Sequence, residues 1–417
     1  MFGPYRQVLR QPGAVRFSAA GAVARFQMAM TTIGEVLLIS SVRDSYGLAG
    51  TVSAVYAAAT ALLAPQVSRQ IDIRGQRRVV PLQLAVHVPA VAGLISVAVW
   101  TPLNWPIFVL AALAGASQPA VGALVRARWS ALMSGSPHLR VAFAWESLLD
   151  ETVWIIGPSI ATVLALQLFP SASLMVSTGL MVVGVTLLLV QRRTEPKPSR
   201  VPARQHGRPA IMLPGIAGLF AIFVLLGGVF GALEVATIAF VDERGHPGAV
   251  GAVFAAYSVA SMLAGLVYGA LSPKVPLVRQ FLWGVAALAV VSVPLPFLGN
   301  VVLAGVGMAL CGVACSPLGI AAMAIVDSIV PRHRLTEAMS WTNSGMSFGV
   351  ALATPFTGWV IDAVGSQAAY WVATGCGLGT ALVGLLVRPV LLRAHANAGQ
   401  ARDGKPFGVA EGTPSPV

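Results

Sequence analysis

The chain has 417 residues, 56% of them hydrophobic and only 10% charged, with a formal net charge of +12 and a mean hydropathy of +0.78. A soluble globular chain carries about 25% charged residues, so an ordinary water-facing surface is excluded. The basic residues lie in short patches between apolar runs, which excludes a continuous phosphate-binding face and a nucleic-acid partner.

Residues 1–14 lack the design of a signal peptide and read as a cytoplasmic N-terminus ahead of a retained first helix. From there, apolar runs of about 20 residues, the length that crosses a bilayer as a helix, recur to the end of the chain. They predict an all-α membrane protein of twelve transmembrane helices, starting near residues 15, 49, 80, 106, 141, 171, 214, 248, 277, 299, 338 and 367. The first six form a bundle over residues 15–191. Residues 191–209, rich in Pro and Arg, read as a flexible break within a basic cytoplasmic linker, 192–213. The last six helices form a second bundle over 214–393. Residues 394–417 are Gly/Ala/Pro-rich and read as a disordered cytoplasmic tail.

Lys and Arg bias sets orientation. Both termini inside places Arg6, Arg10, Arg69, Arg74, Arg77, Arg78, Arg126, Arg128, Arg140, the linker, Lys274, Arg279, Arg332 and Arg334 in the cytoplasm. Only Arg43 and Arg244 then fall outside the cell. The reading is a multi-pass plasma-membrane protein. The halves also match each other. Residues 50–57 resemble 251–258, bringing Tyr56 onto Tyr257. Pro119 pairs with Pro317, Pro158 with Pro355 and Glu35 with Glu234, all at offsets between 197 and 201 residues. Two pseudo-symmetric six-helix bundles with a site between them are the architecture expected for alternating access.

Charges within spans cost about 2.5–3.5 kcal/mol each at a helix centre, so each one calls for a partner or a use. Arg25 in the first helix and Asp150 in the fifth lie at matching depth, and Glu146 shares a face with Asp150 at i, i+4. The expected ion pair is Arg25–Asp150, with Glu146 as the alternative. Glu146 and Glu151 have a second reading, as partners of Arg126 and Arg128. Glu35 and Glu234 have no basic residue near them in sequence. An unpaired carboxyl can take up and release a proton as its surroundings change, so Glu234, Glu35, Asp150 and His87 are the proton-coupling candidates. His87 reads first as a histidine that only hydrogen-bonds a neighbour, and second as a proton carrier. Mid-span Gln27, Ser117, Gln118 and Asn343 are the candidate substrate-cavity residues. Gly157-Pro158, and Gly345, Gly349 and Pro355, read as helix-bend elements. The three cysteines, Cys311, Cys315 and Cys376, all inside apolar runs, suggest neither a disulfide framework nor a metal site.

The loop after the second helix runs Ser68-Arg69-Gln70-Ile71-Asp72-Ile73-Arg74-Gly75-Gln76-Arg77-Arg78. It resembles the pattern Gly-x-x-x-Asp-Arg-x-Gly-Arg-Arg/Lys of the major facilitator superfamily. Asp72, Gly75 and Arg77 match by position. Ser68 replaces the first glycine, and the basic residue after Asp72 is displaced to Arg74. Residues 126–129, 146–151 and 157–158 resemble actinobacterial members of that family. The Gly157-Pro158 pair retains two residues of the family's antiporter pattern. The resemblance implies that Asp72, with Arg74, Gly75, Arg77 and Arg78, forms a latch against helix eleven; spacing alone reads more simply as a solvated basic loop that fixes topology.

The function expected is a secondary active transporter exporting a small amphipathic or hydrophobic compound in exchange for protons. Proton-coupled uptake of a small polar metabolite is the alternative, and a membrane scaffold a remote third. No reactive constellation, nucleotide fingerprint or ATP-binding domain points to an enzyme or a cofactor. The expected partners are a small molecule, the proton and the bilayer, with the chain acting as a monomer.

Overall fold

The computed structural model describes residues 3–133, 136, 138–198, 209–246, 249–271 and 275–402. Lys274, three linker arginines (Arg200, Arg204, Arg208) and the tail beyond residue 402 lie outside the described residues. The helices are α1 (Gly3–Leu9), α2 (Ala14–Arg43), α3 (Tyr46–Arg74), α4 (Gln76–Trp100), α5 (Trp105–Ser117), α6 (Val121–Leu132) and α7 (Leu139–Gln167). They continue with α8 (Ala172–Val190), α9 (Ile216–Glu243), α10 (Val250–Ala270), α11 (Leu277–Ser292), α12 (Val301–Ile329), α13 (Leu335–Val364) and α14 (Ser366–Arg402). Twelve spans are long and apolar enough to cross a membrane, with α5 and α6 together making the fourth. Their outer surface is apolar, with Leu82, Leu166, Val183, Leu385 and Leu386 all exposed. Such a surface fits a bilayer, where backbone polar groups must be satisfied inside each helix.

The packing order repeats between the halves. α2 packs on α8, α7 and α3, as α9 packs on α14, α13 and α10; α5 packs on α3 and α4, as α12 packs on α10 and α11. The two halves meet where α3 lies on α13 and α10 on α7, two contacts that the pseudo-symmetry exchanges. Glycines at matching positions set the closest approaches. There is no room for a Cβ at Gly115 against the Tyr56 carbonyl oxygen, nor at Gly312 against that of Tyr257. Gly157 brings α7 onto α2, where a Cβ would lie 2.6 Å from Ala29 Cβ, and Gly345 and Gly349 bring α13 onto α9. The helix-bend glycines are thus packing points, and α7 and α13 run on unbroken through Pro158 and Pro355.

Four features differ from the sequence reading. The N-terminal segment carries α1, which packs on α7 and α10. The fourth span is interrupted at 118–120, because Pro119 has no N–H and pushes Gln118 into an extended conformation (φ −64°, ψ 124°). The linker does not leave the bundle at once: residues 192–194 form a 3-10 turn, and Thr194 is buried. Finally, α14 continues to Arg402, past the boundary drawn at residue 393. The alanines at 394, 396 and 398 favour helix over the disorder that polarity alone implied.

Candidate functional site

α13 begins after Arg334, which makes no side-chain cap. The first N–H groups of a helix need acceptors from elsewhere. Asp72, in the last turn of α3 and therefore in the other half, supplies them. The Thr336 N–H donates to its Oδ1 (3.2 Å) and the Glu337 N–H to its Oδ2 (2.9 Å), at the positive end of the helix dipole. Other bonds between the halves gather at the same level. The Ser68 and Ser340 hydroxyls are 2.6 Å apart, and Arg69 Nε lies 4.0 Å from Glu337 Oε2. Arg332 donates to the Ser130 carbonyl (2.5 Å), and Arg140 to Gln280 Oε1 (3.0 Å). The Tyr5 hydroxyl donates to the Leu266 carbonyl (2.8 Å), and burial pushes this phenol up to about 12, so it keeps its proton at physiological pH. All lie toward the near face, the one that carries the N-terminus. Within the basic loop, Arg74, Arg77 and Arg78 are exposed, while Gly75 (φ +90°) makes the turn from α3 into α4.

Arg25 does not choose between its two carboxylates. Its NH2 pairs with Glu146 Oε2 and its NH1 with Asp150 Oδ1 (2.8 Å), while Arg126 NH2 holds Asp150 Oδ2 (2.7 Å). The other oxygen of Glu146 accepts from Ser18 Oγ (2.6 Å) and Trp129 Nε1 (2.6 Å). Two cations and two anions thus balance between α2, α6 and α7. Arg128, wholly buried, instead donates to Gln76 Oε1 (2.8 Å), the Gln191 carbonyl (3.0 Å) and Thr194 Oγ1 (2.8 Å). Glu195 Oε1 accepts the Arg77 N–H (3.1 Å). These bonds are what fasten the start of the linker, which its composition did not reveal.

The proposed cavity polar set is divided. Gln118 Nε2 donates to Gln27 Oε1 (2.6 Å), Gln27 Nε2 to Tyr56 Oη (2.8 Å), and Tyr56 Oη to Gln118 Oε1 (3.0 Å). This closed ring is buried inside the first half, so the two glutamines satisfy each other and do not face an open cavity. Ser117 donates to carbonyls of its own helix, and Asn343 alone of the four is exposed. The interruption at Pro119 disturbs the backbone bonding at the end of α5, and side chains donate to the carbonyls around it. His87 Nδ1 bonds Ala114 O (2.8 Å), Thr60 Oγ1 donates to Gly115 O (3.0 Å), and Gln83 Nε2 donates to Gln118 O (3.3 Å). A carbonyl only accepts, so His87 carries its hydrogen on Nδ1, and its buried Nε2 has no partner.

The two pseudo-equivalent glutamates differ. Glu35 is 2% exposed, and its Oε2, like the Ser53 hydroxyl, has no hydrogen-bond partner. Glu234 is exposed, on the same face of α9 as Ile238 and Asp242. The enclosed surroundings expected for it are absent, because α9 turns that face away from its packing on α13 and α14. Ile238 and Asp242 line a cavity of about 640 Å³ between α9, α10 and α13, walled by Val235, Ala239, Val250 and Ile361, with Asp362 opposite. It lies toward the far face. Glu151 reaches Ser261 of the second half, whose hydroxyl donates to its Oε1 (2.6 Å). The reading of Glu151 as an arginine partner does not hold, since Asp150 occupies Arg126 and Arg128 turns to Gln76, Gln191 and Thr194. Tyr5, Arg128, Glu151 and Glu337 are the residues missed as cross-links. An acid in the first turn of a membrane-length helix was the one legible signal, at Glu337.

The Major Facilitator Superfamily profile matches residues 17–311 and 235–412. The chain belongs to the major facilitator superfamily. No curated protein sequence matches it significantly. Solved structures of the superfamily share its fold at low identity. The human organic anion transporter MFSD10 (TETRAN) is 14% identical, covering 91% of this chain and 99% of that one, with a TM-score of 0.67. A bacterial homologue of the iron transporter ferroportin, outward-facing, is 14% identical over 92% and 99%, with a TM-score of 0.69. The E. coli fucose:proton symporter FucP is 11% identical over 89% and 98%, with a TM-score of 0.66. Superfamily membership makes the chain a membrane transporter and not an enzyme.

Proposed function

We propose that this transporter exports a small amphipathic or apolar compound across the plasma membrane in exchange for protons. The observation that carries the reading is the one-sided seal. Asp72 caps α13 across the halves, and the other cross-half bonds gather between it and the middle of the bundle, leaving an apolar-walled cavity toward the far face. Moving such a seal from one face to the other is alternating access. Lys and Arg bias makes the near face, with both termini, cytoplasmic, so the state described is open outward. An exporter that releases its cargo there needs weak, largely apolar contacts, which this cavity supplies. Its two carboxyl groups, Asp242 and Asp362, are positioned to meet incoming protons.

The test is transport by purified protein in liposomes, using labelled amphipathic cations, neutral amphiphiles, sugars and organic acids, with and without an imposed pH gradient. Accumulation of an amphiphile driven by opposing proton flow supports export. Gradient-driven movement of sugars or acids in the same direction as the proton overturns it in favour of uptake. A rate independent of the gradient removes proton coupling.

A further inference from the structure

Among the described cross-half hydrogen bonds, Ser261–Glu151 is the one deepest in the membrane. Glu151 lies about 18 Å from the start of α7 at the near face, and Ser261 about 16 Å from the start of α10 at the far face, at 1.5 Å per residue. Every other such bond lies nearer the N-terminal face, and beyond this one, toward the far face, no described hydrogen bond joins the halves. The pair is therefore the last described hydrogen bond between the halves on going from the near face to the far face.

Both ends of the bond are held firmly in their own half. On the Glu151 side, the preceding residue, Asp150, is fixed by Arg25 from α2 and Arg126 from α6. On the other side, α10 packs backbone to backbone on α12, since a Cβ on Gly312 would lie 3.1 Å from the Ser261 nitrogen. Ser261 is 1% exposed, whereas Glu151 is only half-buried and remains within reach of the open side. A movement of one half against the other beyond the reach of the Glu151 side chain breaks this bond, because the backbone at each end is held within its own half. The ionisable groups around Glu151 are Asp150 on its own helix, Tyr257 on α10 and Cys315 on α12, and Arg25 and Arg126 are engaged by Asp150. Among the described residues, no cation is paired with it.

We infer that Glu151 is the carboxyl that links proton binding to the exchange between outward- and inward-open states, with the Ser261 hydroxyl as the contact that reports which state is present. This rests on the proton-coupled reading above. With the near face sealed, Glu151 meets water from the far side and exchanges its proton there. When α7 and α10 part, the Ser261 bond is lost and the carboxyl meets water from the near side. A group whose hydration and hydrogen bonding differ between two states binds its proton differently in each, and protons then shift the balance between those states. Glu35 lacks this property because it is enclosed within one half, and Asp150 because it is locked in an ion cluster.

The test reads the distance between spin labels on the two halves at the near face, as a function of pH from 5 to 9, in detergent and then in liposomes. It compares wild type, Glu151→Gln, Ser261→Ala and Glu234→Gln. Glutamine still accepts from Ser261, so the fold and the outward-open distance should survive. The inference expects wild type and Glu234→Gln to shift population with pH. Glu151→Gln should not, and its gradient-driven transport should fall to the rate without a gradient while substrate exchange at equal pH persists. Ser261→Ala should keep a pH response with a displaced midpoint. A wild-type pH response persisting in Glu151→Gln overturns this role while leaving proton coupling intact. A wild type with no response to pH, in distance or in transport, overturns the proton-coupled reading itself.

Discussion

Arg25 has two carboxylate partners, and they are not equivalent. Asp150 keeps Arg126 when Arg25 is removed, but Glu146 keeps only neutral donors, Ser18 and Trp129. Arg25→Met should therefore strand Glu146 in a buried site, a loss of about 3–5 kcal/mol by analogy with other broken buried pairs. Adding Glu146→Gln should recover much of it, and adding Asp150→Asn should not; thermal unfolding in detergent measures both. Equal recovery by the two second changes would contradict the assignment. At Asp72, asparagine retains one acceptor but turns an amide N–H toward a helix N-terminus that already offers N–H groups. Asp72→Asn should leave membrane levels normal and weaken the near-face seal by about 1–2 kcal/mol. Spin-label distances should then show a larger inward-open share, together with slower transport.

At the scale of elements, the interruption between α5 and α6 shows how a local rule acquires a tertiary consequence. Pro119 removes one donor and shifts the Gln118 N–H to Gly115 O, and three side chains from α3 and α4 add hydrogen bonds to the carbonyls around the break. His87 is thereby a structural donor. His87→Leu should cost about 0.5–1.5 kcal/mol by removing the shorter of the two hydrogen bonds to Ala114 O, the other coming from the Ser117 hydroxyl. His87→Asn, with an amide N–H where Nδ1 stood, should recover part of that loss, and neither change should alter the pH dependence of transport. A proton-handling histidine would instead show a lost pH response in both variants. The proline paired with Pro119 by the repeat, Pro317, sits inside an unbroken α12, so the same residue at matching positions breaks one helix and not the other.

For the whole molecule, the seal predicts a reversible lock. The Ser68 and Ser340 hydroxyl oxygens are 2.6 Å apart across the halves, within the reach of a disulfide. The double variant Ser68→Cys, Ser340→Cys should cross-link under mild oxidation, stop transport, and regain it on reduction. Of the native cysteines, Cys311 and Cys315 are buried in α12, and Cys376, only partly buried, is first changed to Ala. Cross-linking without loss of transport would show that the near face need not open. The repeat gains its physical content at this scale too. Tyr56 and Tyr257 receive the matching close approaches of Gly115 and Gly312, so the duplication is visible in backbone contacts as well as in residue identities.

Twelve spans and two halves were legible in the sequence because they depend on one quantity, apolar length against bilayer thickness, which each segment carries by itself. The Asp72 loop was legible as a motif, and the matching depths of Arg25 and Asp150 could be counted along helices at 1.5 Å per residue. What sequence spacing could not supply was rotation about each helix axis and the identity of the facing surface. Those decided that Gln27 and Gln118 satisfy each other, that Glu35 is enclosed while Glu234 is open, and that Glu151 crosses to Ser261. A helix specifies its own hydrogen bonds from within, but which neighbour receives a polar side chain is set by packing against other helices, 91 positions away for Gln27 and Gln118 and 110 for Glu151 and Ser261. For that reason the architecture was determined locally, and the face on which the transporter is sealed was determined only by the tertiary structure.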